Sequence, residues 1–407
     1  GGGGGGGGGG TTFLTRVPRL KKVLNLTLLQ ELDLHRSGNH LRPAELARIG
    51  SLTSLTSLTF ECHLSRGTQP LTSLAMLTQL RQLSVTAFKV PADAQLPHGL
   101  SALSALESLS LDVVWHLMHG PRPHLRMPWA WCEAATGLTS LRLDTIDLPR
   151  LDEQSSIGSD STTSSRRVFP VLRHLQLESP DDPLSQLALS CCQALESLAL
   201  DGACLSMADF VAFSGSPQLR SLKLDGCLTN TAADRRQALE TPALPEALSR
   251  LTSLTSLVLD DSPFHPAIVL LPALQKVHMW MPKTPHGFQT GWRLPGGHWL
   301  CNLEELQIIG GEFGSIARVL QQATRLSSLV LEQNHHLEFR EEEQDFLLDL
   351  PLETLVINKS PDYDDYPPAV LWSRKSLWVL GELKTSLNRV KKESGKGGNY
   401  KIYTWPR

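Results

Sequence analysis

Leu251–Asp260 reads LTSLTSLVLD, and the spacing of its leucines decides the architecture. Leu254, Leu257 and Leu259 form L-x-x-L-x-L, which fits neither a helical stripe nor a plain strand alternation. The second half, Ser256–Asp260, alternates as a strand does, with Leu257 and Leu259 inward and Ser256, Val258 and Asp260 outward. The first half, LTSL, turns a corner and aims Leu251 and Leu254 at the same interior.

The phrase recurs along nearly the whole chain, and a fixed recurrence outranks any local reading. It begins at Leu29, Leu55, Leu80, Leu106, Leu138, Leu172, Leu195, Leu219, Leu254, Leu274, Leu303, Leu326 and Leu352, which makes 13 copies. Successive copies lie 26, 25, 26, 32, 34, 23, 24, 35, 20, 29, 23 and 26 residues apart, so the repeat is real but its returns vary. These residues carry a resemblance. From about Leu20 to about Ser360 the chain resembles a leucine-rich-repeat protein, which implies an α/β solenoid. The expected form is a curved horseshoe with a parallel sheet on its concave side and helices and irregular turns on its convex side. The organisation that follows is a flexible lead-in over 1–19, a solenoid of about 13 repeats over 20–360, and a C-terminal cap with a basic tail over 361–407. One departure stands out. The family places Asn or Cys three residues after the last strand leucine, where its side chain bonds loop backbone. Here Cys227 and Asn334 occupy that position, but so do His63, Phe88, Val114, Ile146 and Pro180. A continuous Asn ladder is therefore absent.

A chain of 407 residues would ordinarily suggest two or three domains. A solenoid escapes that expectation because each repeat contacts only its neighbours and the core grows lengthwise. Each repeat offers about four inward leucines worth roughly 1.5–3 kcal/mol apiece on burial, most of it offset by chain ordering. The formal net charge of −3 argues against a general nucleic-acid binder. The longest apolar run, Ala267–Leu271, is far too short to span a membrane. The seven cysteines (Cys62, Cys132, Cys191, Cys192, Cys204, Cys227 and Cys301) are odd in number, scattered and without paired capping clusters, which points to a reducing interior. Asn25-Leu-Thr27 and Asn358-Lys-Ser360 match the glycosylation pattern at a frequency chance explains.

Gly1–Gly10 is a homopolymer that buries nothing and reads as a linker. No methionine precedes it, so an upstream segment is expected. Arg16, Arg19, Lys21 and Lys22 follow as a solvated basic entry. Helical returns are expected at Pro43–Ile49, from Ser206, over Ser315–Gln322 and over Glu341–Leu348, whereas Thr68–Leu77 reads as irregular. The serine- and threonine-rich stretch 152–167 is expected to be a disordered insertion, and Thr229–Arg250 an extra helical return. Ala369–Leu380 can cover the open core end. Residues 374–407 carry a net charge of +7 and residues 332–365 a net charge of −9, two blocks suited to attract each other.

Little in the chain points to catalysis. His116, His119, His124 and Cys132 are possible zinc ligands, but four prolines or glycines interrupt His119–Cys132 and no Cys-x-x-Cys knuckle is present. No metal is therefore assigned, and Trp115, Trp129 and Trp131 read better as a small satellite core. Gly395-Lys396 lacks the rest of a P-loop, and no G-x-S-x-G elbow or dinucleotide fingerprint follows a strand. Neither a cofactor nor enzymatic activity is expected.

The leading function is a binding scaffold for another protein. The chain is similar to the LTSLTSL-type, polyglycine-bearing repeat proteins of green algae, and that resemblance implies a cytoplasmic protein associated with the cytoskeleton or the ciliary axoneme. A substrate-recognition subunit of an F-box-type ubiquitin ligase is the alternative, because LRSLKLDGC, ending at Cys227, resembles the cysteine-containing repeat type. A GTPase activator or a fragment of a nucleotide-binding receptor would use the same repeats. The candidate binding residues follow each strand's last inward side chain. Glu61, Asp112, Asp144, Glu178, Asp201, Asp225, Asp260 and Glu332 make eight of thirteen such positions acidic. Two readings stay open for this column. Aspartates at strand ends can bond loop N–H groups, as Asp201-Gly202 and Asp225-Gly226 suggest, or the row can dock a basic segment of a partner.

Overall fold

The structure, a computed structural model, describes residues 27–35, 41, 43–63, 69–88, 90, 98–114, 125–148, 169–178, 192–203, 216–227, 250–260, 270–280, 294, 296–310, 316–332 and 350–358. The lead-in, the helices expected from Ser206 and over Glu341–Leu348, the insertion 152–167, Asn334, the cap and the basic tail lie outside the described residues. So does the Thr229–Arg250 return, apart from Arg250 itself. The chain divides into two compact units, Gly1–Gln218 and Leu219–Arg407.

Each of the thirteen phrases contributes one strand. The first unit holds β1 (Glu31–Asp33), β2 (Ser57–His63), β3 (Gln82–Phe88), β4 (Ser108–Val114), β5 (Ser140–Asp144), β6 (His174–Glu178) and β7 (Ser197–Asp201). The second holds β8 (Ser221–Asp225), β9 (Ser256–Asp260), β10 (Lys276–Trp280), β11 (Glu305–Ile309), β12 (Ser328–Glu332) and β13 (Thr354–Asn358). Within each unit every strand pairs in parallel with the next one in the chain. This is the α/β solenoid architecture that the repeat implies.

The register explains the repeated letters. In LTSL the second leucine donates its N–H to the carbonyl of the residue three before it, as Leu55 does to Leu52 and Leu254 to Leu251. Both leucines of that tight corner are buried. The next two residues then donate their N–H groups to one carbonyl of the preceding repeat: Thr56 and Ser57 to Gln30, Arg81 and Gln82 to Thr56, Thr255 and Ser256 to Arg220. Where the residue after the corner is Thr or Ser, its hydroxyl donates to that same carbonyl, as in Thr56, Thr139, Thr255 and Ser327. Along β9 the burial then alternates, with Leu257 and Leu259 inside and Ser256, Val258 and Asp260 on the solvent face.

The returns differ in kind. Pro43–Ile49 is an α-helix (α1) with its proline at the first position, Glu45 in the first turn and Arg48 in the last, each favourable to the helix dipole. Leu46 and Ile49, three residues apart, face the core. Trp129–Ala134 forms α2 and Ala317–Leu320 forms α3, the latter inside the longer helix expected over Ser315–Gln322. The return expected to be irregular at Thr68–Leu77 is instead a 3₁₀ helix over Gln69–Met76. Strands β2, β3 and β4 run seven residues, two more than the phrase defines, with Cys62, Ala87 and Val113 turned inward. This accounts for part of the missing Asn ladder. At His63, Phe88 and Val114 the chain is still in strand, so there is no loop backbone there for an Asn to bond.

Trp131 is buried edge-on against Phe169, with ring centroids 6.1 Å apart, which realises part of the expected satellite core. Trp115 lies outside the described residues.

Gly50 closes α1, its N–H donating to the Leu46 carbonyl, and lies so close to the next return that a Cβ there would meet the Ser73 carbonyl oxygen at 2.4 Å. At Gly137 the nearest atom to a Cβ would be the Leu106 carbonyl oxygen at an ordinary 3.5 Å. Gly50→Ala should therefore destabilise the first unit by about 1–3 kcal/mol, as overpacking does, while Gly137→Ala stays near the parent. Urea unfolding of the two variants side by side checks this, and equal midpoints would refute the close packing at Gly50.

Candidate functional site

The solvent face of each sheet is a grid. Strand positions one, three and five point outward, and the register sets equivalent positions side by side. In the first unit the fifth column runs Glu61, Thr86, Asp112, Asp144, Glu178, Asp201. Four carboxylates thus stand on consecutive strands, β4 to β7, and Thr86 separates them from Glu61. In the second unit the column runs Asp225, Asp260, Trp280, Ile309, Glu332, Asn358. Asp225 and Asp260 are neighbours there, and Trp280 and Ile309 separate them from Glu332. The column is therefore interrupted in both units by residues that the count of acidic positions passes over.

Adjacent strands lie about 4.8 Å apart. Two full negative charges at that spacing repel by roughly 0.9 kcal/mol even in a water-like dielectric. Several groups on the same face relieve this repulsion. Arg142, at the third position of β5, pairs with Glu178 at 2.8 Å, and the Gln176 side-chain amide donates to Glu178 at 2.6 Å. His35 lies 3.2 Å from Glu61, and Lys223 lies 3.3 Å from Asp225. Asp144 responds differently. Burial, then its hydrogen bond to Asp112 and the charges of Asp112 and Glu178, push its carboxyl up to about 7 against an opposing pull from Arg142. Near neutral pH Asp144 holds a proton for much of the time and donates it in a hydrogen bond to Asp112. The row is therefore less negative than its letters.

The backbone beyond Asp144 is also unusual. Thr145 adopts φ 55, a left-handed conformation costly for a β-branched residue, and is 4 % exposed. In the same position, one past the fifth strand residue, other repeats place Gly202, Gly226 and Gly310, all with positive φ. The Thr145 N–H donates to the Glu178 carbonyl at 3.0 Å, just as Gly226 donates to Asp260 at 2.9 Å. The Thr145 hydroxyl donates to the Val113 carbonyl at 3.0 Å, which holds the strained turn. Asp-Gly pairs flagged this turn elsewhere in the sequence. No glycine marks it at Thr145, so nothing in the letters signals it.

The second face carries a different chemistry. Lys276 and His278 both reach Glu305, each at 3.0 Å. Burial works to raise the Glu305 carboxyl, but the hydrogen bonds and charges of Lys276 and His278 outweigh it and hold the group below its ordinary range. Trp280 sits beside them, exposed. Reading the fifth column for acids alone missed it, although its place in the repeat was already fixed. Among the described residues no group of three or more His, Cys, Asp or Glu is placed to hold a metal, and no helix is long and apolar enough to cross a membrane. His116, His119 and His124 lie outside the described residues, while Cys132 is buried, its thiol raised well above the ordinary range chiefly by that burial.

No family model and no curated protein matches the chain. Solved structures do. An internalin from Listeria monocytogenes superposes with a TM-score of 0.50 at 17% identity, covering 81% of this chain and 81% of its own. The TLR13–ssRNA13 complex gives a TM-score of 0.49 at 17% identity, covering 84% of this chain and 46% of the other. The fold is the leucine-rich-repeat solenoid. At these identities the likeness concerns the fold alone, and the solvent face of this solenoid has to be read from its own residues.

The proton held by Asp144 has a measurable consequence. A carboxyl raised in the folded state from 3.8 to about 7 takes up protons on folding between those values, so stability is lost as pH rises through that window. Asp144→Asn removes the effect. The variant should be more stable than the parent at pH 8, with the advantage shrinking steadily toward pH 4. Urea midpoints for both proteins across that range test it, and a pH-independent difference would refute the proton on Asp144.

Proposed function

We propose that this chain is a non-catalytic protein-interaction scaffold. Its site is the solvent face of the sheet, and the observation that carries the reading is the register of Asp112, Asp144, Glu178 and Asp201 on four adjacent strands. The partner contributes a basic segment to this row. With Glu178 engaged by Arg142 and Asp144 half-protonated, the face attracts such a segment by a moderate field rather than a dense one. An arriving lysine or arginine also lowers the cost of ionising Asp144, so docking a cation and releasing that proton are linked. Asp225, Asp260, Glu61 and Glu332 supply acidic positions outside the four-strand row. The similarity of the LTSLTSL phrases to green-algal repeat proteins supports a place in the cytoplasm, at the cytoskeleton or the ciliary axoneme.

The test uses a fluorescently labelled oligolysine peptide and the triple variant Asp112→Asn, Asp144→Asn, Asp201→Asn, which keeps side-chain acceptors and removes charge. Parent binding should weaken steeply with added salt. The variant should remain folded, bind roughly tenfold or more weakly and lose most of that salt dependence. Equal affinity and an equal salt slope would leave the row with a structural role only.

A further inference from the structure

We infer that the solvent face of the second unit is a separate anchor site for a short partner segment that combines aromatic or aliphatic side chains with a lysine or arginine at one end. Val258, Trp280, Ile309 and Val330 lie on the four consecutive strands β9 to β12, at outward positions three, five, five and three. Trp280 pairs directly with Ile309, Val258 is diagonal to Trp280, and Val330 is diagonal to Ile309. Three strand spacings make the apolar line roughly 14 Å long, enough for two or three anchoring side chains of one segment. On β4 to β7 of the first face the corresponding third and fifth positions carry no such line: they are Ser110, Arg142, Gln176, Ala199 and four carboxylates.

Trp280 is the centre of the argument. It is 51 % exposed, and of the five large hydrophobic residues exposed among the described residues it alone belongs to a strand; Leu28, Met76, Val171 and Leu270 are on returns. Half-exposed tryptophans on a paired strand are of the residue type most enriched among interface anchors.

Charge selects the occupant. Beside Trp280 in the same column stand Asp260 and then Asp225, on β9 and β8. On β8 to β11 the outward charged residues Asp225, Asp260 and Glu305 outnumber Lys223 and Lys276 by one. The two lysines are engaged, Lys223 with Asp225 at 3.3 Å and Lys276 with Glu305 at 3.0 Å. An acidic segment would meet net repulsion next to the apolar line, and a purely basic one would leave Trp280 and Ile309 in water. A basic–apolar segment satisfies both halves.

This inference rests on the scaffold reading but uses other residues, so the two can fail separately. Three labelled peptides of equal length serve as probes: two lysines followed by Phe and Leu, two lysines followed by Ser, and two glutamates followed by Phe and Leu. The first should bind the full chain more tightly than the other two. Trp280→Ser should weaken it roughly tenfold or more, Trp280→Phe should restore most of the loss, and Asp225→Asn with Asp260→Asn should flatten its salt dependence. The Asp112, Asp144, Asp201 triple variant should leave the difference between parent and Trp280→Ser intact. Circular dichroism confirms folding of each variant, which the exposure of Trp280 favours. If the Lys–Ser peptide binds as well as the Lys–Phe–Leu peptide, or Trp280→Ser binds like the parent, the anchor site is overturned while the acidic-row reading stands. If sedimentation shows a dimer that Trp280→Ser dissolves and that excludes the peptide, the face belongs to a second copy of the chain and the inference is equally overturned. Loss of binding in the triple variant with Trp280→Ser unaffected would place all recognition on the first unit.

Discussion

One carbonyl per repeat, that of the residue two places before each strand's first inward leucine, sets the rest of the structure. It accepts two backbone N–H groups from the following repeat, and a hydroxyl where Thr or Ser follows the corner. Each such carbonyl lines up with its donors only when the following repeat sits in the correct register. The corner leucines enforce the same alignment from inside, because a slip by one residue would turn Leu257 and Leu259 out and Ser256 and Val258 in. Hydrogen bonding and burial therefore select one register at each step, and the parallel order of strands within each unit follows from repeating that step.

This is why so much of the fold was legible. Leucines at fixed spacing report burial directly, so all thirteen strands and the turn at LTSL could be placed from letters, whereas the shared carbonyl that Thr56, Thr139 and Thr255 reach could not. The returns were less legible because their sequences share no period and several short conformations cover the same gap. Pro43 announced α1 by its fixed φ and missing N–H, whereas Gln69–Met76 carries no comparable signal and winds as a 3₁₀ helix. The longer strands β2 to β4 were hidden for a related reason. Cys62, Ala87 and Val113 are inward but not leucine, so the L-x-x-L-x-L template ends two residues before the strand does.

The acidic positions were legible in register and not in charge. Counting letters places eight carboxylates in one column, and the register of each unit does align them, but formal charge is a property of isolated side chains. In the folded chain Arg142 is drawn to Glu178, Lys223 to Asp225 and His35 to Glu61, and Asp144 is pushed toward neutrality by its neighbours. Exposed pairs of this kind contribute little to stability. Their effect is on the electrostatic field of the face, and it depends on residues such as Arg142 and Lys223 that a count of acids never consults. Thr145 belongs to the same class of omission. Its strained backbone is held by a hydroxyl bond to Val113, a residue 32 positions away in sequence.

Because the inward positions and the corner are committed to folding, specificity is left to outward positions one, three and five. Register makes each of these a column whose members are separated by twenty or more residues in sequence and by one strand spacing in space. Substitution at one outward position changes the face without disturbing the core, so neighbouring repeats can diverge freely in chemistry while remaining alike in fold. The two units bear this out: the fifth column reads Asp112, Asp144, Glu178, Asp201 in the first, and turns from Asp260 to Trp280 and Ile309 in the second. The face thus changes from carboxylate to indole within one strand spacing, over a core that stays apolar and buried. Likeness of fold to other solenoids therefore speaks for the inward residues and the corner, and leaves the chemistry of the outward columns to each chain's own sequence.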